Sequence, residues 1–437
     1  MSRRVPGGLL RRHRDFRLLW CGETAGRFGA AVTGVTMPLI AVSTLHASTF
    51  EVGLLSATTW LPWLLLGLPV GAWVDRLRRR PVMIGAAAFS LVAFAVVPVA
   101  AWLGWLGIGL LLTVALLTGT AAVFFQTAYS AYLPSILTPE DLPEGNATLH
   151  GSGSAAQLAG LGSGGLLAQL AGAVNGLLAN AATFLVSLLC LLGIRHREPR
   201  VTTADRRAGS LVGEVRQGLR LLAHDPWLRG FALFGAASNL ALMGYQSLQV
   251  VFLVRDVGLA PGAVGTVIAA TGAGGVAGAL AARRVADRIG TARATLLFEL
   301  GVALLALLMP LTFGGVGVLL FVVGGFGVAA GAVAGNVLRA GFQQRYCPPH
   351  LLGRLTASTA FLSYGTMPLG ALLGGTLGTV LGVRAAMAIT TAGVPLAGLV
   401  LLCSPIRRVR DLPTGPARGD DPGGARPTGD GSAVPRP

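Results

Sequence analysis

Lysine is missing from all 437 residues, so every one of the 34 basic side chains is an arginine. A Walker A loop needs a lysine on the nucleotide phosphates and a pyridoxal enzyme needs one for its Schiff base, so the chain can build neither. No nucleotide is expected as a partner, and no cofactor. Cysteine is scarce as well: Cys21, Cys190, Cys347 and Cys403 stand far apart, which predicts neither a disulfide framework nor a metal site. The six histidines form no close ligand pair and read as loop residues at helix ends. Charged residues make up only 12% of the chain, too few for a soluble protein of this length.

What replaces them is apolar. Hydrophobic residues account for 53% of the chain and the mean hydropathy is +0.67, which supplies many spans of about 20 residues. Twelve apolar runs can be placed, at 17–44, 50–74, 81–103, 105–130, 145–171, 173–194, 228–252, 262–286, 293–312, 314–338, 351–381 and 383–403. In lipid an open strand leaves its backbone unpaired, so all twelve are predicted helices. The 63 glycines suit close helix approach. The reading is an all-α integral membrane protein with a six-helix half at 1–194, a polar linker at 195–227, a second six-helix half at 228–403 and a disordered tail at 404–437. Within the linker, Gly213–Ala223 has the pattern of a short amphipathic surface helix.

The halves repeat. Gly71-Ala-Trp-Val-Asp75-Arg76-Leu-Arg-Arg79-Arg80-Pro81 lies between two apolar runs, and Ala286-Asp287-Arg288-Ile-Gly290 echoes it 212 residues later. Pro139 and Pro349, Ala147 and Ala357, Gly160 and Gly370, and Gly164-Gly165 and Gly374-Gly375 recur at a spacing of 210. Duplication of a membrane unit points to a transporter with its site at the interface of the repeats.

The net charge of +16 does not suggest nucleic acid, because the arginines fall in short loops and not on one amphipathic face. They orient the chain instead. Six precede helix one, Arg76, Arg78, Arg79 and Arg80 follow helix two, eight lie in 195–229, and Arg283, Arg284, Arg288, Arg293, Arg339, Arg345 and Arg354 fall in later loops of the same side. The other side has Arg255 and Arg384. Both termini are expected in the cytoplasm, with the acidic 131–144 loop fitting the pattern least well. Lysine-free, Arg-, Ala- and Gly-rich usage suggests a bacterium of high genomic GC content and therefore the cytoplasmic membrane.

The loop Gly71-x-x-x-Asp75-Arg76-x-x-Arg79-Arg80 resembles the signature between helices two and three of the major facilitator superfamily. The glycine usual after Asp-Arg is Arg78 here, and the second copy has Arg283 in place of the leading glycine. Phe16-Arg17-Leu-Leu-Trp20, Tyr132-Leu-Pro134, Asn146-Ala147, Thr183-Phe184-Leu185-Val186-Ser187 and Pro368-Leu-Gly370-Ala-Leu-Leu-Gly-Gly375 are similar to the branch containing macrolide efflux proteins and the enterobactin exporter. Gly160-Leu161-Gly-Ser-Gly164-Gly165 is similar to the glycine motif of proton-coupled exporters, with Leu161 at the usual proline. The resemblance implies a twelve-helix major facilitator fold and a secondary transporter, favouring proton-coupled export of an amphipathic drug, macrolide-like product or siderophore. Uptake symport is the alternative, and a receptor or assembly factor with a transporter-like body is a more distant one. It further implies a conformational latch at Gly71, Asp75, Arg76, Arg79, Arg80, Asp287 and Arg288, whose simpler alternative is orientation alone.

Charges inside the apolar runs are the candidate site. Glu23 and Arg27 lie four residues apart on one side of helix one. They are roughly 8 and 14 Å into the span at 1.5 Å per residue. They should pair inside the bundle, either as the proton-exchanging group of a coupled transporter or as a static brace. Gln126, Tyr129, Asn239, Gln246 and Gln249 could line the same cavity, or bond between helices. Glu299 is expected to snorkel or to pair with Arg293, and Asn180 leaves helix six without an acid.

Overall fold

A computed structural model describes residues 8–74, 76–196, 220 and 222–415. The Gly213–Ala223 surface helix therefore lies mostly outside the described residues, as do Asp75 and positions 416–437. Among the described residues, twelve long helices form. The first half contains α1 (Arg14–Leu39, continuing as a π turn over Ile40–Thr44), α2 (Thr49–Val74), α3 (Arg79–Trp102), α4 (Ile108–Ile136), α5 (Leu142–Ala171) and α6 (Ala173–Gly193). The second contains α7 (Pro226–Val251, then a π turn over Phe252–Asp256), α8 (Pro261–Ile289) and α9, which runs as Thr291–Leu296, a π turn Leu297–Gly301 and a 3-10 stretch Val302–Leu311. α10 (Val318–Tyr346), α11 (Pro349–Leu381) and α12 (Val383–Leu402) complete it.

Ten of these are long and apolar enough to cross a bilayer. The other two, α5 and α11, match them in length, and the reason for their weaker hydropathy is packing. Each carries a run of glycines and small polar residues where two helices approach it at once. On α5, a Cβ at Gly160 would stand 2.5 Å from the Phe28 carbonyl oxygen of α1, and one at Gly164 would stand 3.1 Å from that of Val32. Gly165, next in line, meets Pro261 and Gly265 of α8 in the other half. The second copy repeats the scheme: Gly370 and Gly374 of α11 lie on Leu240 and Gly244 of α7, and Gly375 faces Gly53 of α2 across the halves. A leucine-rich sequence could not make such backbone approaches.

These cross-half seams, α2 with α11 and α5 with α8, lie toward the face opposite the chain ends. There the Gly262 amide donates to Gln169 Oε1 at 3.1 Å, and Arg255 Nη2 donates to the Ala47 carbonyl at 2.6 Å. Farther along α2, Trp60 and Trp63 meet Tyr364 of α11 with ring centroids 6.3 and 4.8 Å apart. Toward the face carrying the chain ends, Arg283 and Asp287 at the end of α8 pair with each other, 3.9 Å apart and 91% and 72% exposed. Large apolar side chains including Leu65, Val92, Leu280 and Leu304 point outward, and Trp102 and Trp105 flank the α3–α4 turn. An apolar outer surface with tryptophans at its border is that of a bilayer-embedded bundle.

One boundary and one loop differ from the sequence reading. The tail does not become structureless at 404: Pro405–Arg408 forms a 3-10 turn, and the strap beyond it docks on the α8–α9 loop. The Thr291 amide donates to Asp411 Oδ1 at 2.9 Å, and the Ala292 amide donates to the Arg410 carbonyl at 3.1 Å. Two buried side chains, Ile406 and Leu412, join an apolar cluster there, which explains why so polar a segment holds its place. The acidic α4–α5 loop also finds its use. Asp141 and Glu144 stand 3.5 and 3.6 Å from Arg12, His13 stands 3.2 Å from Asp141, and Glu144 Oε1 accepts the Leu9 amide at 3.0 Å. Those acids hold Leu9, Arg12 and His13, the residues just before α1, against the bundle.

Candidate functional site

Helix α1 supplies the first cluster. Glu23 is buried, and Arg27 Nε donates to its Oε1 at 2.8 Å, the pairing that a four-residue spacing allows. The helix is held in rotation by α5: Trp20 Nε1 donates to Ser152 Oγ at 2.9 Å and Thr24 Oγ1 lies 3.2 Å from the same oxygen. Gly153, one residue on, leaves room for the Arg27 stem, since a Cβ there would stand 2.7 Å from Arg27 Cδ. Tyr129 of α4 is buried within the field of both charges, stacked on Phe125 at 6.4 Å, and Gln126 is half-buried one turn away. On the other flank, Asn180 of α6 is fully buried and donates from Nδ2 to Thr33 Oγ1 at 2.5 Å, so this amide ties α6 to α1.

The second half contains a partly open cavity of about 340 Å³. Asn239 of α7 lines it with Ser238, as do Glu299 of α9, Asn336, Arg339 and Gln343 of α10, and Ser363 of α11. Gln246 and Gln249 continue the Asn239 stripe of α7 at helical spacing but lie beyond this cavity, Gln246 exposed and Gln249 half-buried.

Two residues depart from the sequence reading here. Glu299 does not snorkel to Arg293: Arg293 is exposed, whereas Glu299 is 7% exposed and its carboxylate rests against Gly335 of α10. The cause is the π turn Leu297–Gly301, whose extra residue rotates the helix face at that point. Arg339 is no loop residue either. It sits inside α10, two turns before the helix ends, with Nη2 on Asn336 Oδ1 and the guanidinium 5.5 Å from the Phe234 ring centroid. A polar stretch at the end of an apolar run resembles a loop in sequence; here it faces a cavity.

The Asp-Arg loop divides by residue. Arg80 caps α6, donating from Nε to the Leu191 carbonyl and from Nη2 to that of Leu192, both at 3.0 Å. Arg76 and Arg288 are exposed, Asp287 pairs within its own helix, and a Cβ at Gly71 would meet nothing within 4 Å. Asp75 lies outside the described residues, and Arg79 is half-buried at the start of α3. Among the described residues no group of histidine, cysteine and acidic side chains could hold a metal ion.

Two six-helix halves meeting on glycine seams, with buried charges and amides on the helices between them, are the architecture of a duplicated membrane transporter. The chain belongs to the Major Facilitator Superfamily, whose sequence profile matches residues 19–369. It is 27% identical over 411 residues to the multidrug efflux pump Tap of Mycolicibacterium fortuitum, covering 91% of this chain and 97% of that one. It is 26% identical to the enterobactin exporter EntS of Salmonella typhi, covering 93% and 96%. Among solved structures, the nucleoside transporter NupG aligns with a TM-score of 0.73 at 11% identity, over 90% of this chain and 99% of that one. A bacterial homologue of the iron transporter ferroportin aligns at 0.67 and 18% identity, over 91% and 99%. These structural likenesses establish the fold.

Proposed function

We propose that the chain is a proton-coupled exporter of amphipathic small molecules, set in the cytoplasmic membrane of a bacterium with both termini in the cytoplasm. The observation that carries this reading is the Glu23–Arg27 pair, a buried carboxylate on the helix that packs against both α5 and α6. Such a group holds a proton when exposed to one side and gives it up when exposed to the other, and the adjacent guanidinium compensates its charge in between. Kinship with a multidrug efflux pump and a siderophore exporter over nine-tenths of the chain supports outward movement of the cargo. Gln126, Tyr129 and Asn239 supply hydrogen bonds for its polar parts, with Gln246 and Gln249 farther along α7, while the apolar walls accept the remainder.

Alternating access follows from the seams. Gly160, Gly164, Gly370 and Gly374 hold each half together, while Gly165 and Gly375 let the halves close at the outer face. On the cytoplasmic face Gly71, Asp75, Arg76, Arg79, Arg80, Asp287 and Arg288 form the latch of the opposite state, in which Asp287 exchanges its local partner for one in the other half.

Purified protein in liposomes, with ethidium as the probe and an imposed pH gradient, tests the reading. Ethidium should move against the proton flux, out of the compartment that faces the termini. Movement with the protons would establish a symporter, and absence of flux across a broad drug panel would remove the transport reading. Orientation can be read in the same vesicles, because a lysine-free chain offers an impermeant amine reagent only its α-amino group, which should react from the cytoplasmic side alone.

A further inference from the structure

The second half holds an acid and a cation that the proposed mechanism leaves unused. Glu299 and Arg339 face one cavity from neighbouring helices, and Gln343 and the serines and asparagines beside them keep it polar. Several features show that Glu299 is accommodated there. A π turn aims it, glycine at position 335 leaves the space its carboxylate fills, and the Asn336 amide and Phe234 ring hold Arg339 in place. Among the described residues, no hydrogen bond and no ion pair within 4.0 Å joins the carboxylate to any group. A permanently ionised carboxylate would be expected to close that gap in a position only 7% exposed, because an uncompensated charge there is costly.

The duplication supplies an independent argument. α4 and α10 end 210 residues apart, at Ile136 and Tyr346, and on the same spacing Gln126 matches Asn336 and Tyr129 matches Arg339. In the first half this helix position faces the carboxylate of Glu23; in the second it faces that of Glu299. Each half thus presents one carboxylate and one guanidinium, arranged from different helices.

We propose that Glu299 is a second proton-exchanging carboxylate, so that one transport cycle draws on one proton site in each half. In the protonated form Glu299 is neutral and Arg339 is held by Asn336 and Phe234. On release the proton passes to cavity water, and the carboxylate left behind is compensated by Arg339 across the cavity. Arg339 is the charged group facing it from α10; on α12, Arg384 is engaged by the Pro310 carbonyl and Asp256, and on its own helix Arg293 is exposed. This inference rests on the antiport reading and is tested separately from it.

Infrared difference spectra of the full chain in liposomes, taken through a pH titration, report the carboxylic-acid C=O band without any substrate. Compared with wild type, E23Q should lose one titrating component, E299Q a different one, and E23Q/E299Q both, with the bands of the other carboxylates unchanged. R339Q, which removes the facing cation, should move the midpoint of the Glu299 component and leave that of Glu23 in place, a response that a bracing role would not produce. With membrane potential clamped, the dependence of ethidium accumulation on the pH gradient should fall by half in E299Q. An E299Q spectrum identical to wild type, with E23Q still losing its component, overturns this inference alone; unchanged spectra in both variants overturn the proton-coupled reading with it.

Discussion

At the scale of single residues, arginine changes what the cavity can do. Its guanidinium stays charged at any pH the cell meets, so Arg27 and Arg339 compensate charge and do not exchange protons. In the proposed cycle, proton exchange falls to carboxylates. The Glu23–Arg27 contact was readable from sequence because the two residues stand four apart in one helix; the burial of Glu299 was not, because a π turn breaks the periodicity on which such readings depend. Arg27→Gln should leave Glu23 without a cation and cost about 2 kcal/mol, below the usual range for a broken buried pair because Arg27 is partly exposed. Thermal unfolding in detergent would show it, and R27Q/E23Q should recover most of the loss. E23Q alone should leave unfolding close to wild type while halving the dependence of accumulation on the pH gradient, Glu299 carrying the remainder.

At the scale of helices, the lengths were legible and some ends were not. Twenty apolar residues announce a span, but α10 runs two turns past its apolar stretch because Arg339, Gln343 and Arg345 remain helical. The same rule worked in reverse for α5 and α11, whose glycines mark a helix pressed on two sides. That arrangement separates two roles along one motif. Gly165→Ala would drive a methyl into the Gly265 backbone, where a Cβ stands 2.7 Å from its Cα, and should part the α5–α8 seam. Spin labels at the ends of those helices opposite the chain termini should report a longer distance and a larger population open at that face. Gly160→Ala acts inside the first half, against Phe28 and Ala31, and should cost about 2 kcal/mol of stability without lengthening that distance.

For the molecule as a whole, the duplication was visible in the sequence, whereas the state it occupies was not, since spacing carries no information on which face is closed. Here the closed seams lie opposite the chain ends, and at the other face the Arg283–Asp287 pair is exposed. Asp75→Asn should therefore slow return through the state closed at the terminal face, lowering turnover several-fold while leaving membrane insertion and probe affinity intact; transport assays beside a binding titration would distinguish the two. The seams also bear on speed. A leucine-sized contact across them would add adhesion of about 2 kcal/mol each, a roughly thirtyfold longer dwell in the closed state. Backbone laid on backbone gives a tight seal with little grip, so a membrane machine that must shut completely can also let go quickly.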